Sequence, residues 1–345
     1  MGSVMTSARL SGIRSAQLVR RLRKASQRGL DRLNLLVTRH RGWERFEKLP
    51  PNVLKVESTN ICNADCIFCA YQYEDRPKSF MPDELYTKSL EEYAALGGRR
   101  LSYVPIVGEP LIDRKFIVKV KEAKRCGMAD IYTYTNGLLL HKFDTDELLS
   151  SGLNLLIISS APFDEDMYVK LYRNKGYKRL LTNLRALLQR NIELGRPVAI
   201  KFHLRSAVDE RTALSLPDYV THIKPYINEA TDVGVMLSYD SWGGLIKQED
   251  LFGEMQLAPP PSDKSIPCLH TFTLTVLSDG RVRACGCRFN NEAIDDPLVI
   301  GDATTQTLGE IWHSQTLKQL RRRFTTGELP SLCQKCSAYA PKTTD

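Results

Sequence analysis

From residue 54 to about residue 241, short apolar runs alternate with longer stretches of helical periodicity, and nothing else in the chain narrows the possible folds as much. Runs over 54–58, 102–107, 131–135, 155–159, 198–204 and 233–238 read as strands. Between them, 82–96, 114–126, 145–151, 176–194 and 216–227 read as helices, the first opened by Pro82-Asp83 and closed by Gly97-Gly98. Strand–helix repeats need crossover connections, which means a parallel sheet covered by helices. The pattern therefore predicts an α/β fold, a partial (β/α)6 TIM-like barrel, with function gathered at the strand C-termini. With 345 residues and 42% apolar side chains, the chain can bury a large core and still carry appendages.

The first of those strand ends carries Cys62, Cys66 and Cys69, spaced C-x3-C-x2-C, with Phe68 before the last cysteine. Three thiolates on one tight loop make a soft half-cage that suits an iron–sulfur cluster or zinc. A structural zinc site closes itself with four ligands, whereas three cysteines on a cubane leave one iron open to something other than protein. The chain has nine cysteines, and such spacings in a chain of this length favour metal over disulfides. A zinc loop and unrelated free thiols stay open on these residues alone.

With the motifs downstream, the loop resembles that of the radical S-adenosylmethionine (AdoMet) superfamily. The resemblance implies a [4Fe–4S] cluster on Cys62, Cys66 and Cys69 whose open iron binds the amino and carboxylate groups of AdoMet. It implies a reducing, cytoplasmic setting and an external electron donor such as flavodoxin or ferredoxin. Reductive cleavage of AdoMet then gives a 5′-deoxyadenosyl radical that removes a hydrogen atom from substrate. Val107-Gly108-Glu109-Pro110 resembles the family's Gly-Gly-Glu-Pro, with Val107 in place of the first glycine, and implies AdoMet binding by Gly108, Glu109 and Pro110. An ammonium needs acceptors, and a glycine lets backbone approach closely. Thr135-Asn136-Gly137 matches the family's Thr-Asn-Gly turn, which puts Asn136 at the nucleoside end. Ser159 and Arg173 stand where relatives contact AdoMet, an Arg fork suiting its carboxylate. His203, Arg205, Tyr239, Asp240 and Trp242 are candidate substrate contacts, although a strand histidine is more often a rim residue.

Past residue 245 the pattern changes. Residues 246–267 form a linker, Pro-rich and extended over 253–267. Residues 268–345 then carry Cys268, Cys285 and the C-x2-C pair Cys333 and Cys336. Apolar runs flank Ser278-Asp279-Gly280, a hairpin signal that holds Cys268 and Cys285 close. Cys268, eleven residues, Gly280, four residues and Cys285 resemble the opening of a SPASM domain. The shorter twitch version, a β-hairpin plus helix, implies a second, auxiliary [4Fe–4S] cluster on Cys268, Cys285, Cys333 and Cys336. Zinc on the same four thiolates is the structural alternative. Cys126 is expected to be a small buried hydrophobe. Cys287 is open to three readings: an alternative ligand, a hydrogen-atom donor like the catalytic cysteines of related epimerases, or a bystander.

Charge is uneven. Residues 1–48 hold 12 Lys and Arg against Asp31, Glu44 and Glu47, and the remainder has 36 basic and 37 acidic side chains. A nearly neutral body argues against nucleic acid as main substrate. The basic arm over 1–50 has a partial apolar face and suits a membrane surface, a transit peptide, a protein-docking helix, or an extension packed on the barrel. No apolar run approaches the roughly 20 residues that span a bilayer. The barrel over 51–245 and the absence of a separate leader-peptide-binding domain favour a small carbohydrate, aminocyclitol or nucleoside-type substrate, dehydrogenated or epimerised. Modification of a ribosomally made peptide and a zinc-stabilised binding protein are the alternatives.

Overall fold

The structure, a computed structural model, describes residues 42–103, 106–286 and 296–343. Six strands run parallel in chain order: β1 (Leu54–Val56), β2 (Arg100–Ser102), β3 (Asp130–Thr135), β4 (Leu155–Ser160), β5 (Ala199–Arg205) and β6 (Thr231–Met236). Helices α1 (Asp83–Ala95), α2 (Phe116–Arg125), α3 (Thr145–Ser150), α4 (Glu165–Tyr172), α5 (Tyr177–Glu193), α6 (Glu210–Ala213) and α7 (Pro217–His222) carry the chain back between them. Strand alternation sorts the two faces of the sheet. In β5, Ile200, Phe202 and Leu204 are buried, with Phe202 packed through Phe163 onto Tyr219 of α7. Lys201, His203 and Arg205 lie half-buried on the opposite face. Asp144 and Asp164 start α3 and α4 by accepting the backbone N–H of Glu147 and Met167, each at 2.8 Å.

Two departures from the sequence reading have physical causes. The apolar run over 102–107 yields a strand that ends at Ser102. Ile106 and Val107 leave the ladder and fill a small apolar cluster with Ala70 and Leu277, so their apolarity reports burial rather than pairing. The helix α4 is unforeseen. It is eight residues long and buries one i, i+3, i+4 set, Tyr168, Leu171 and Tyr172, too short a window for the helical period to stand out.

Beyond β6, β7 (Ser238–Tyr239) pairs with β8 (Gln256–Leu257), so part of the expected linker forms a short parallel sheet. The expected hairpin follows as β9 (Leu274–Val276) and β10 (Arg281–Arg283), turning at Gly280, whose φ is +94°. A third strand, β11 (Val299–Asp302), pairs antiparallel with β10. β9 lies parallel to β1, Leu54 opposite Leu274 and Val56 opposite Val276. Among the described residues the sheet therefore has nine strands, in the order β11-β10-β9-β1-β2-β3-β4-β5-β6. Helices α8 (Leu308–Trp312), α9 (Gln315–Thr326) and α10 (Ser331–Gln334) complete the C-terminal part.

Fully buried Arg321 of α9 ties that part to the start of the described chain. Its guanidinium sits 4.4 Å from the ring centroids of both Phe272 and Trp312, donates to the Thr271 carbonyl, and meets Glu47 at 3.2 Å. The basic arm expected over 1–50 falls on residues of which 1–41 lie outside those described. Among the described residues, no helix is long and apolar enough to cross a membrane.

Candidate active site and second cysteine centre

The loop after β1 is braced before it reaches its cysteines. Thr59 donates to the Ser79 carbonyl at 2.8 Å. The Asn60 amide spans Pro77 and Ser79, at 3.0 and 2.9 Å. The loop's far side hangs on the end of α4, where the N–H groups of Asp65 and Ile67 donate to the carbonyls of Tyr172 and Leu171. Within it, the Cys69 N–H donates to the Cys66 carbonyl, the Tyr71 hydroxyl to the Cys62 carbonyl, and the Tyr71 N–H to the Cys69 Sγ at 3.4 Å.

Burial pushes the Cys62 thiol up to about 12, reinforced by the charge of Glu109. Cys66 is driven up first by burial, then by the charges of Cys69 and Cys62. Cys69 is also raised by burial, against the opposing pull of the Tyr71 N–H and of Arg205. Burial raises all three thiols, Cys69 adds to the rise at Cys62 and Cys66, and a bound cationic metal would favour the thiolate form of each. Three cysteines on one loop are a soft donor set of the kind an iron–sulfur cluster takes, although among the described residues no three His, Cys, Asp or Glu side chains converge on a single metal-ion site.

Gly108 presses against this loop. Its φ is +118°, and a Cβ there would come 2.6 Å from the Thr59 carbonyl oxygen, so only glycine fits. The Glu109 N–H then donates to the Ile61 carbonyl at 2.8 Å. The Glu109 side chain is 2% exposed. One oxygen accepts from the Leu111 N–H and the Thr135 hydroxyl, at 3.1 and 2.8 Å, and the other from the Asn136 N–H at 2.7 Å. Burial raises the carboxyl to about 6 against those donors. Asn136 in turn donates from Nδ2 to the Asn63 side chain at 2.7 Å. Pro110, buried, opens the short 3-10 turn that follows. The three motifs read from sequence thus form one hydrogen-bonded frame, with Glu109 bound to protein donors at its centre.

Ser159 and Arg173 sit beside that frame. Ser159 shares a 3.1 Å hydrogen bond with the Tyr172 hydroxyl. Arg173, in a left-handed conformation (φ 48°), is half-exposed and turns back to Asp65 at 3.1 Å and Gln72 at 3.4 Å on the cysteine loop. Phe68 lies between the rings of Tyr172 and Tyr239, both 5.4 Å away, with the Arg205 guanidinium 5.7 Å from its centroid. The Trp242 indole donates to the Phe68 carbonyl at 3.0 Å. His203 meets Tyr134 at 5.5 Å and is held down to about 4 by burial, then by the charges of Arg205 and Lys201, so it is neutral near pH 7. Arg205 has a buried Nε with no hydrogen-bond partner among the described residues, although its charge reaches Cys66 and Cys69. Sequence reasoning had Arg205 only as a substrate contact. The alternation Lys201, His203, Arg205 on one face of β5 was the available signal of its place beside the cysteines. Asp240 accepts from Ser337 at 2.7 Å and joins the C-terminal part instead.

The second cysteine set is drawn from distant stretches. Cys268 forms a β-bridge with Pro341, and the neighbouring Leu269 N–H donates to the Ala340 carbonyl at 2.7 Å. Cys333 and Cys336 lie on one turn, the Cys336 N–H donating to the Cys333 carbonyl at 3.3 Å. Lys264, from the Pro-rich stretch, donates from Nζ to the carbonyls of Cys333, Gln334 and Cys336 at 2.7, 2.8 and 2.9 Å. This lysine was missed in the sequence, where it reads as linker polarity. Cys285 is buried past β10, its carbonyl accepting from Arg283 at 2.8 Å. Cys287 lies outside the described residues. Cys126 is only partly buried at the end of α2, not the core residue expected.

Fold and site define a class: a parallel α/β sheet with a three-cysteine loop at its strand ends and a second cysteine set in a C-terminal extension. Residues 56–209 match the radical SAM superfamily and residues 268–337 the SPASM iron–sulfur cluster-binding domain. The chain thus carries a radical SAM domain and an iron–sulfur cluster-binding domain, whose cofactors are AdoMet and [4Fe–4S] clusters. The GTP 3',8-cyclase of Rhodopirellula baltica is 30% identical over 146 residues, 41% of this chain and 40% of that protein. The chain spans 40%, 42% and 46% of three such relatives, less than half their length. Among solved structures, BtrN in complex with AdoMet and 2-DOIA has a TM-score of 0.56 at 17% identity, covering 85% of this chain and 96% of that one. Streptococcus suis SuiB bound to precursor peptide SuiA has a TM-score of 0.59 at 14% identity, covering 90% and 75%. At those identities the likeness establishes the fold.

Proposed function

We propose that the chain is a radical SAM oxidoreductase or epimerase that abstracts hydrogen from a small carbohydrate, aminocyclitol or nucleoside-type metabolite. The observation that carries the reading is the frame joining Asn63, Glu109 and Asn136, which locks the cysteine loop to the two strand ends beside it. When bound, the cluster and AdoMet supply a 5′-deoxyadenosyl radical. In this reading Cys62, Cys66 and Cys69 hold that cluster, and Cys268, Cys285, Cys333 and Cys336 hold the auxiliary one. Gly108, Glu109 and Asn136 shape the floor under AdoMet, with Phe68, Ser159 and Arg173 at its sides. Tyr134, neutral His203 and Arg205 line the face open to substrate. A small substrate is supported by the extent of overlap with BtrN, which was solved with 2-DOIA. The name of the matched GTP 3',8-cyclases supports a nucleoside-type one. An external donor such as flavodoxin or ferredoxin supplies the electron.

Anaerobic reconstitution with iron and sulfide counting tests both cysteine sets. Wild type is expected to hold about eight irons and Cys62/Cys66/Cys69→Ala about four, with 5′-deoxyadenosine formed from AdoMet and dithionite by wild type alone. One zinc, little iron and no AdoMet cleavage would sink the reading.

A further inference from the structure

Lys264 is 7% exposed, and all three of its ammonium protons are taken by the carbonyls of a single turn. No carboxylate pairs with it among the described residues. Nζ also lies 5.9 Å from the ring centroid of Tyr339, whose hydroxyl donates to the Ile266 carbonyl at 2.7 Å. A buried ammonium without a counter-ion is costly, and carbonyl dipoles offset only part of that cost. The turn whose carbonyls it holds carries Cys333 and Cys336, and its charge also reaches Cys268. Three carbonyls drawn to one nitrogen also fix the curvature of the turn, and with it the placement of Cys333 relative to Cys336.

We propose that Lys264 is a positioning residue for the auxiliary cluster: it sets the Cys333–Cys336 turn, and its buried charge draws the cluster's reduction potential upward. The inference rests on reading Cys268, Cys285, Cys333 and Cys336 as cluster ligands. A fixed cation beside thiolate ligands favours the more negative, reduced state of the group they bind. Of the two outcomes proposed above, a cluster tuned this way suits dehydrogenation, which must hand on an electron.

The test uses the full chain in a Cys62/Cys66/Cys69→Ala background, where only the auxiliary cluster remains. Lys264→Met keeps the stem and removes the charge, and Lys264→Arg keeps the charge. After anaerobic reconstitution, iron is counted, the cluster midpoint is read by redox titration under electron paramagnetic resonance, and folding is checked by circular dichroism. The expected result is a midpoint shifted to more negative potential in Lys264→Met and close to the parent in Lys264→Arg. Loss of iron from Lys264→Met alone, with melting unchanged, equally supports the positioning role. A Lys264→Met cluster with full iron and the parent's midpoint overturns the proposal, as does equal iron loss from both variants. A parent without iron while Lys264 is intact removes the auxiliary cluster itself and the proposal with it, and points to the ligand assignment instead.

Discussion

The loop of Cys62, Cys66 and Cys69 is gathered from one short stretch and braced by side chains of its neighbours, chiefly Thr59, Asn60, Tyr71 and Asn136. The second set draws its cysteines from three stretches and is braced by the Cys268–Pro341 bridge and by the Lys264 side chain on the carbonyls of its turn. A cation beside each set is used differently. Lys264 spends every donor on protein, whereas Arg205 keeps a buried Nε unspent beside Cys66 and Cys69. The contrast is between a buried cation wholly engaged by backbone and one with a donor left over beside its cysteines.

The two regions are stapled by Glu57, fully buried at the end of β1. It accepts two hydrogen bonds from Arg76, at 3.0 and 2.8 Å, and two from Ser278 at the tip of the β9–β10 hairpin, at 3.1 and 2.8 Å. Breaking that staple is expected to have the largest effect. Arg76→Met leaves a buried carboxylate with half its donors and should cost about 3–5 kcal/mol in urea unfolding. A loss under about 1 kcal/mol would mean the two regions stand independently.

The next change acts on one side only. Gly108→Ala forces a Cβ toward the Thr59 carbonyl and should cost about 1–3 kcal/mol of local strain. We expect deoxyadenosine formation to fall roughly tenfold, equivalent to about 1.4 kcal/mol, while the iron held by the second cysteine set stays at the wild-type level. Equal damage to both sets would erase the contrast.

The smallest effect is in pH. Below about 6.5 the unfolded chain protonates His203, while the folded chain resists until about 4. Stability should therefore fall as pH drops through that window, by about 1–2 kcal/mol for this half-buried ring. In His203→Gln, denaturation curves between pH 6.5 and 4 should lose that part of the slope. An unchanged slope would place the ring in solvent.

Much of the first site was legible because its chemistry is local. The cysteine spacing, the steric demand at Gly108 and the turn at Asn136 are each set within a few residues, and the structure joins them into one frame. What was not legible depends on distant partners. Arg173 turns to Asp65, and only the fold brings α4's end to the cysteine loop. Lys264 read as linker polarity because its acceptors lie some seventy residues away, on the turn of Cys333 and Cys336. The misplaced end of β2 has the same origin, since a run of apolar residues announces burial without saying against what.

The pairing of β1 with β9 sets an order on how the molecule is made. As the chain emerges from the ribosome, Leu54 comes early and Leu274 late, so one edge of the strand leading into the cysteine loop goes unpaired through most of synthesis. An open edge of three buried residues is an invitation to mispair, and closing it requires a contact of very long sequence separation. The first cysteine loop thus gets its full support only when the second cysteine region arrives. Cluster loading before that moment would meet a half-built cradle.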